Sequence, residues 1–162
     1  MVYVMEFYVD GGCRGNGNPG SIGAAACCLM RKGHGSYGSK SINLPRNPTP
    51  TNQRAEITAI ILALKWVLQK WKELKSNPFL DVRIYSDSKY AIKCMDTWIY
   101  KWVGNGWLNS SGNEVANRDL IEMASDFDYV VKELGSVSYT WIPRSDNQLA
   151  DGLCNEKLDE QE

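Results

Sequence analysis

Tyr3-Val-Met-Glu-Phe-Tyr-Val-Asp-Gly-Gly12 is the stretch from which the rest of the chain can be read. Residues 3–9 are β-branched or aromatic at most positions, the composition of a buried strand. Asp10-Gly11-Gly12 then reads as a tight turn that ends the strand and leaves a carboxylate at its tip. Outward from there, Arg14-Gly-Asn-Gly-Asn-Pro-Gly20 is punctuated as a loop, and further strands are expected at about 22–30 and 36–44. These three make an antiparallel meander. Asn47-Pro-Thr-Pro-Thr51 breaks the chain, and Thr51 or Asn52 can cap the helix that follows. In that helix Ile57, Ile60, Ile61, Leu64, Val67, Leu68 and Trp71 recur at helical spacing, toward an end near Lys75. Val82-Arg-Ile-Tyr-Ser86 predicts a short buried strand leading into Asp87. Helical segments are expected at about 88–103 and 117–133, a last strand at 136–142 and a last helix at 147–158. The order gives an α/β fold: one mixed sheet with crossover helices on its faces.

The 162 residues suit a single domain spanning 1–162, without linker, repeat or low-complexity tract. Apolar runs are too short to span a bilayer, and no leader pattern opens the chain, so a soluble, intracellular monomer is expected. Five cysteines, odd in number and without Cys-x-x-Cys spacing, speak for reduced thiols over disulfides or structural zinc. The one histidine, His34, sits in Lys32-Gly-His-Gly35 with no nucleophile pattern around it, which argues against Ser-His or Cys-His chemistry. A net charge of −1 and a pI of about 5.9 argue against a strong non-specific polyanion binder, but leave room for a local basic face.

Four acids stand at the ends of predicted elements: Asp10 after the first strand, Glu56 in the first turns of the long helix, Asp87 after the fourth strand, and Asp151 in the last helix. In open α/β sheets functional groups gather at strand ends. Carboxylates converging there repel one another unless a cation joins them, and an all-oxygen donor set suits hard ions, Mg²⁺ above all. Two such ions roughly 3.5–4 Å apart can activate water and stabilise the leaving oxygen of a phosphodiester. Each acid also has a structural reading: an Asx turn for Asp10, a helix cap for Asp87, a capping-box partner of Asn52 or Gln53 for Glu56.

Phe7-Tyr-Val-Asp-Gly-Gly-Cys13, Thr51-Asn-Gln-Arg-Ala-Glu56, Ile84-Tyr-Ser-Asp-Ser88 and Asn147-Gln-Leu-Ala-Asp151, in this order, resemble the motifs of type 1 ribonuclease H. The resemblance runs from about Tyr3 to Leu158 and implies a ribonuclease H-like fold, a five-stranded mixed sheet whose first three strands are antiparallel. It implies an endonuclease that hydrolyses the RNA strand of an RNA–DNA hybrid, leaving 5′-phosphate and 3′-hydroxyl ends. Asp10 would bridge two Mg²⁺ ions (or Mn²⁺ in their place), Glu56 and Asp87 would share one with it, and Asp151 would hold the other. Cys13, Asn16, Asn52 and Gln53 match positions near the hybrid's minor groove, where amides can read a 2′-hydroxyl. Trp98 and Trp102, four apart on one helix face, resemble the family's substrate-binding handle. Thr51 and Asn117 match positions that grip a DNA phosphate, with Ser110 and Tyr90 nearby. Asn147, which opens the last motif, joins them as a substrate-binding position.

Two departures stand out. Val103 and Gly104 occupy handle positions where many relatives carry lysines, which should lower affinity and flatten its salt dependence. Ile142-Pro-Arg-Ser-Asp-Asn147 is short and lacks the histidine that many members place on a loop before the last aspartate. Two other readings fit the same residues: a ribonuclease H domain derived from a retroelement polymerase, and a module that binds hybrids without cutting them.

Overall fold

The computed structural model describes residues 1–31 and 36–162, so the expected hairpin tip with His34 lies outside the described residues. Five strands form one sheet in the order β3-β2-β1-β4-β5. They are β1 (Val2–Arg14), β2 (Ile22–Arg31), β3 (Ser36–Asn43), β4 (Phe79–Ser86) and β5 (Gly135–Trp141). The meander β1-β2-β3 is antiparallel, whereas β4 pairs parallel to both β1 and β5. The expected mixed sheet is thus the one observed.

The strand at the centre differs from its expectation. β1 does not stop at Asp10; it stays in register with β2 through Asp10↔Ala26, Gly11↔Ala25, Gly12↔Ala24 and Arg14↔Ile22. The glycines serve close approach, not a turn. A Cβ on Gly11 would lie 2.2 Å from the backbone carbon and oxygen of Ala55, in the helix that crosses this face. The chain reverses later, at Gly15 and Gly17, whose φ values of 82° and 79° a side chain would resist.

That crossing helix, α1 (Asn52–Glu73), is capped by Thr51, whose hydroxyl accepts from the Arg54 N–H at 3.1 Å. Its buried stripe of Ile57, Ile60, Ile61, Leu64 and Val67 packs with Phe7, Val9, Val82 and Ile84 of the sheet in the main core. α4 (Arg118–Leu134) lies beside α1 on this side, giving Ile121, Ala124 and Val131 to the same core. α5 (Gln148–Glu160) covers the opposite face, where Cys154 and Leu158 pack on Ile22, Ala24 and Ala26.

The single helix expected at 88–103 is broken into three pieces: α2 (Lys89–Lys93), a π-helical turn at Cys94–Trp98, and α3 (Ile99–Asn105). The wider turn lets Cys94, Met95 and Ile99 all reach the core, at 1%, 1% and 4% exposure. Among the described residues, no helix is long and apolar enough to cross a membrane.

Candidate active site

Parallel pairing brings two of the four acids together. Val9 lies opposite Ser86, the last pair of the parallel ladder, so Asp10 and Asp87 stand side by side where β1 and β4 part. Glu56 reaches them from the second turn of α1, which Gly11 allows to lie against β1. Asp151 arrives on the first turn of α5, and the start of that helix is pinned by Asn147, whose side-chain amide donates to the Val9 carbonyl at 2.8 Å. All four carboxylates line one cleft of about 680 Å³, together with Cys13, Arg14, Asn52 and Arg144.

The structural readings of these acids are not what the geometry displays. Asp10 sits within a ladder, so it makes no Asx turn. α2 is capped by Ser88, whose hydroxyl accepts from the Ala91 N–H at 3.0 Å, and not by Asp87. Thr51 caps α1 without Glu56.

The electrostatics are those of a crowded anionic site. Burial, followed by the charges of Asp87 and Asp151, pushes the Asp10 carboxyl up to about 8. Burial also raises Glu56 and Asp87 above the usual carboxylate range; Ser88 and Arg144 pull Glu56 back, and Asn147 and Arg144 do the same for Asp87. Asp87 Oδ2 is buried with no partner among the described residues. No three His, Cys, Asp or Glu side chains there form a finished ligand cluster. What the fold supplies is an orphaned carboxylate oxygen and four acids converging on one cleft, a donor set that a hard divalent cation fits.

The other expected site residues fall into three places. Cys13 and Asn52 line the cleft, with the Cys13 thiol directed to the Pro50 carbonyl at 3.3 Å. Asn16 braces the entrance, its side-chain oxygen accepting from the Asn52 N–H at 2.9 Å. Gln53, Tyr90 and Asn117 form a second group: the Asn117 amide donates to the Tyr90 hydroxyl at 3.0 Å and to Gln53 Oε1 at 3.4 Å. Trp98 and Trp102 form a third, half-buried with ring centroids 5.7 Å apart, between Tyr90 on one side and the buried Trp107 on the other. Ser110 is exposed on the loop that follows. Asn147 is only 2% exposed, and its amide is used within the fold.

Two arginines were not anticipated. Arg54 pairs with both oxygens of Asp119, at 2.9 and 2.7 Å, and its Nη1 also donates to Asn117 Oδ1 at 3.4 Å, so it backs the second group. A contact 63 residues away in sequence has no local signal. Arg14 lines the acidic cleft itself. Strand alternation would have put it on the face of Asp10, had the strand been followed past the glycines.

A five-stranded mixed sheet with four acids converging where its parallel strands β1 and β4 part defines the ribonuclease H-like class. The chain belongs to the RNase H family, whose sequence profile matches residues 3–159. The ribonuclease H of Methylobacillus flagellatus is 32% identical over 163 aligned positions, spanning 97% of this chain and 93% of that one. The ribonuclease H of Prochlorococcus marinus is 39% identical over 114 positions, 68% of this chain and 61% of its own. Among solved structures, RNase H1 from the halophilic archaeon Halobacterium salinarum superposes with a TM-score of 0.67 at 24% identity, covering 98% of this chain and 99% of that one. LC11-RNase H1 in complex with RNA/DNA hybrid gives 0.70 at 22%, covering 97% and 98%. At these identities the structural likeness is one of fold, of the type 1 enzymes; the sequence relatives make the chain a nuclease.

Proposed function

We propose that this chain hydrolyses the RNA strand of RNA–DNA hybrids, with the four acids holding two divalent cations, Mg²⁺ in the first instance. The observation that carries the reading is the convergence of Asp10, Glu56, Asp87 and Asp151 on one cleft, in which Asp10 is held up to about 8 by burial and by its acidic neighbours. Cations bound there would activate a water and stabilise the leaving oxygen of the RNA strand. Asp10, the most buried of the four, would serve both ions; Glu56 and Asp87 would complete one site and Asp151 the other. Attack at the phosphorus with departure of the 3′ oxygen leaves 5′-phosphate and 3′-hydroxyl ends.

The surroundings support a duplex substrate. Cys13 and Asn52 border the cleft, and Asn16 fixes Asn52 by its backbone. With Gln53 next on the same helix, these amides offer donors and acceptors to a minor groove and its 2′-hydroxyls. Thr51, Tyr90 and Asn117 stand beside them as a phosphate-gripping group, and the Trp98–Trp102 pair supplies aromatic faces for the DNA strand, with Ser110 beyond. Asn147 contributes by holding α5, and with it Asp151, against β1.

A cleavage assay on matched RNA–DNA, RNA–RNA and DNA–DNA duplexes, with and without Mg²⁺, tests the reading. Cleavage confined to the RNA strand of the hybrid, with Mg²⁺ required and the new 5′ ends removable by phosphatase, is expected. Hybrid binding without cutting would refute it.

A further inference from the structure

Asp10, Gly12 and Arg14 alternate onto one face of β1, the face that α5 covers. Gly12 is where the two elements come close: a Cβ there would meet Cys154 Sγ at 3.4 Å and Leu158 Cδ1 at 3.5 Å. From position 10 to 14 a strand rises about 13 Å. From Asp151 to Asp159 a helix rises about 12 Å. The spans match, so β1 and α5 meet at two corresponding ends. At the first, Asp10 and Asp151 both line the acidic cleft. At the second, Arg14 Nη1 reaches Asp159 Oδ1 at 2.8 Å and Glu162 Oε2 at 3.0 Å.

We propose that Arg14 is a positioning residue: by clamping the far end of α5 to β1 it holds Asp151 against Asp10, and so sets the affinity of the acidic cleft for divalent cations. This rests on the reading of the four acids as cation ligands. Asn147 pins the near end of α5 through the Val9 carbonyl and supplies a pivot. Cys154 and Leu158 pack the middle of α5 on Ile22, Ala24 and Ala26, so freeing the far end would loosen the helix and let Asp151 drift from Asp10 without unseating it. Gln161, donating to the Gly23 carbonyl at 3.0 Å, is a neutral contribution at the far end; Arg14 is the charged one. Exposed ion pairs are individually weak, and Arg14 is one-third exposed, so the effect on the cations should be moderate.

Arg14 also borders the cleft, which suggests the rival role of a phosphate ligand that the two acids hold back. The roles predict opposite signs. The test is a Mn²⁺ titration, followed by the resonance signal of the free ion, on the native protein and on Arg14→Gln, Asp159→Asn/Glu162→Gln, the combination of all three, Arg14→Lys and Asp10→Asn. Hybrid binding without metal is measured in parallel over a range of salt. The clamp requires Mn²⁺ affinity to fall about threefold to tenfold both in Arg14→Gln and in the acid pair. Combining them should add little, because one interaction is removed either way. Arg14→Lys should recover most of the loss, and the salt slope for hybrid should stay as in the native protein.

Unchanged Mn²⁺ affinity in Arg14→Gln overturns the clamp. So does a pattern in which Arg14→Gln weakens hybrid binding and flattens its salt slope while the acid pair strengthens it, which would make Arg14 a phosphate ligand. Asp10→Asn separates this from the underlying reading. If the native protein shows no Mn²⁺ binding that depends on Asp10, the acids are not cation ligands and the clamp has nothing to act on.

Discussion

Replacing Asp10 by asparagine keeps the shape of the side chain and removes its charge from the most crowded point of the cleft. Asp10 is 7% exposed, and burial, Asp87, Asp151 and Glu56 together hold its carboxyl at about 8, against 3.8 for an unperturbed aspartate. A folded chain that binds a proton more tightly than the unfolded one loses stability as that proton is removed. The penalty is absent below about pH 4, grows as pH rises, and is complete above about pH 8. At about 1.4 kcal/mol per unit the ceiling is about 5–6 kcal/mol, reached only if the acids cannot move apart. Half of that, spread over a domain of this size, corresponds to roughly 5–10 °C in melting temperature.

The assay is thermal unfolding between pH 4 and 9, with and without millimolar Mg²⁺. Asp10→Asn should match the native protein at pH 4 and melt progressively higher than it toward pH 9. Mg²⁺ should raise the native melting temperature, by preferential binding to the folded state, and leave the variant nearly unmoved. The variant should bind hybrid without cutting it, since the residues proposed to grip the duplex are left unchanged. Parallel melting curves for the two proteins across pH would refute the electrostatic account, and substantial cleavage by purified Asp10→Asn would refute the assignment of Asp10.

Trp102→Ala should weaken hybrid binding by about 1–3 kcal/mol if its ring packs on the DNA strand; a melting loss in the range of about 3–5 kcal/mol with unchanged affinity would make it a core residue instead. Gly11→Ala drives a methyl into the Ala55 backbone, so α1 must shift, and cleavage by the folded fraction should fall because Glu56 moves with that helix; unchanged stability by denaturant titration would contradict this packing. The short turn before α5 offers Arg144 where a histidine would offer a proton shuttle. Release of product and metal should therefore limit turnover, giving a burst of one cleavage per enzyme before a slower steady rate; grafting a longer, histidine-bearing loop over Arg144-Ser145-Asp146 should raise only the steady rate, as quench-flow can check.

Features generated by neighbours in sequence were legible, and those generated by distant packing were not. The stripe Ile57, Ile60, Ile61, Leu64 announces α1 because helical periodicity is local, and Thr51 announces its cap for the same reason. The four acids could be picked out because each sits in a short motif; their convergence depends on the parallel register of β1 with β4, which no window of sequence contains. The π turn at Cys94–Trp98 was hidden, since it leaves the four-residue spacing of Trp98 and Trp102 intact. The misreading at Asp10-Gly11-Gly12 is the most instructive. Glycine is required both where a chain turns and where a second backbone passes close, and composition does not separate the two. Here the helix that approaches is a non-local partner, and its backbone comes within 2.2 Å of a Cβ placed on Gly11. Ending the strand at Asp10 also removes the alternation that places Arg14 on the same face, so one wrong boundary assigns to a solvent loop the cation that faces the acids' helix. At such a junction the fold test and the site test are the same: the strand that continues past Asp10 both buries the carboxylate and delivers Arg14 to Asp159.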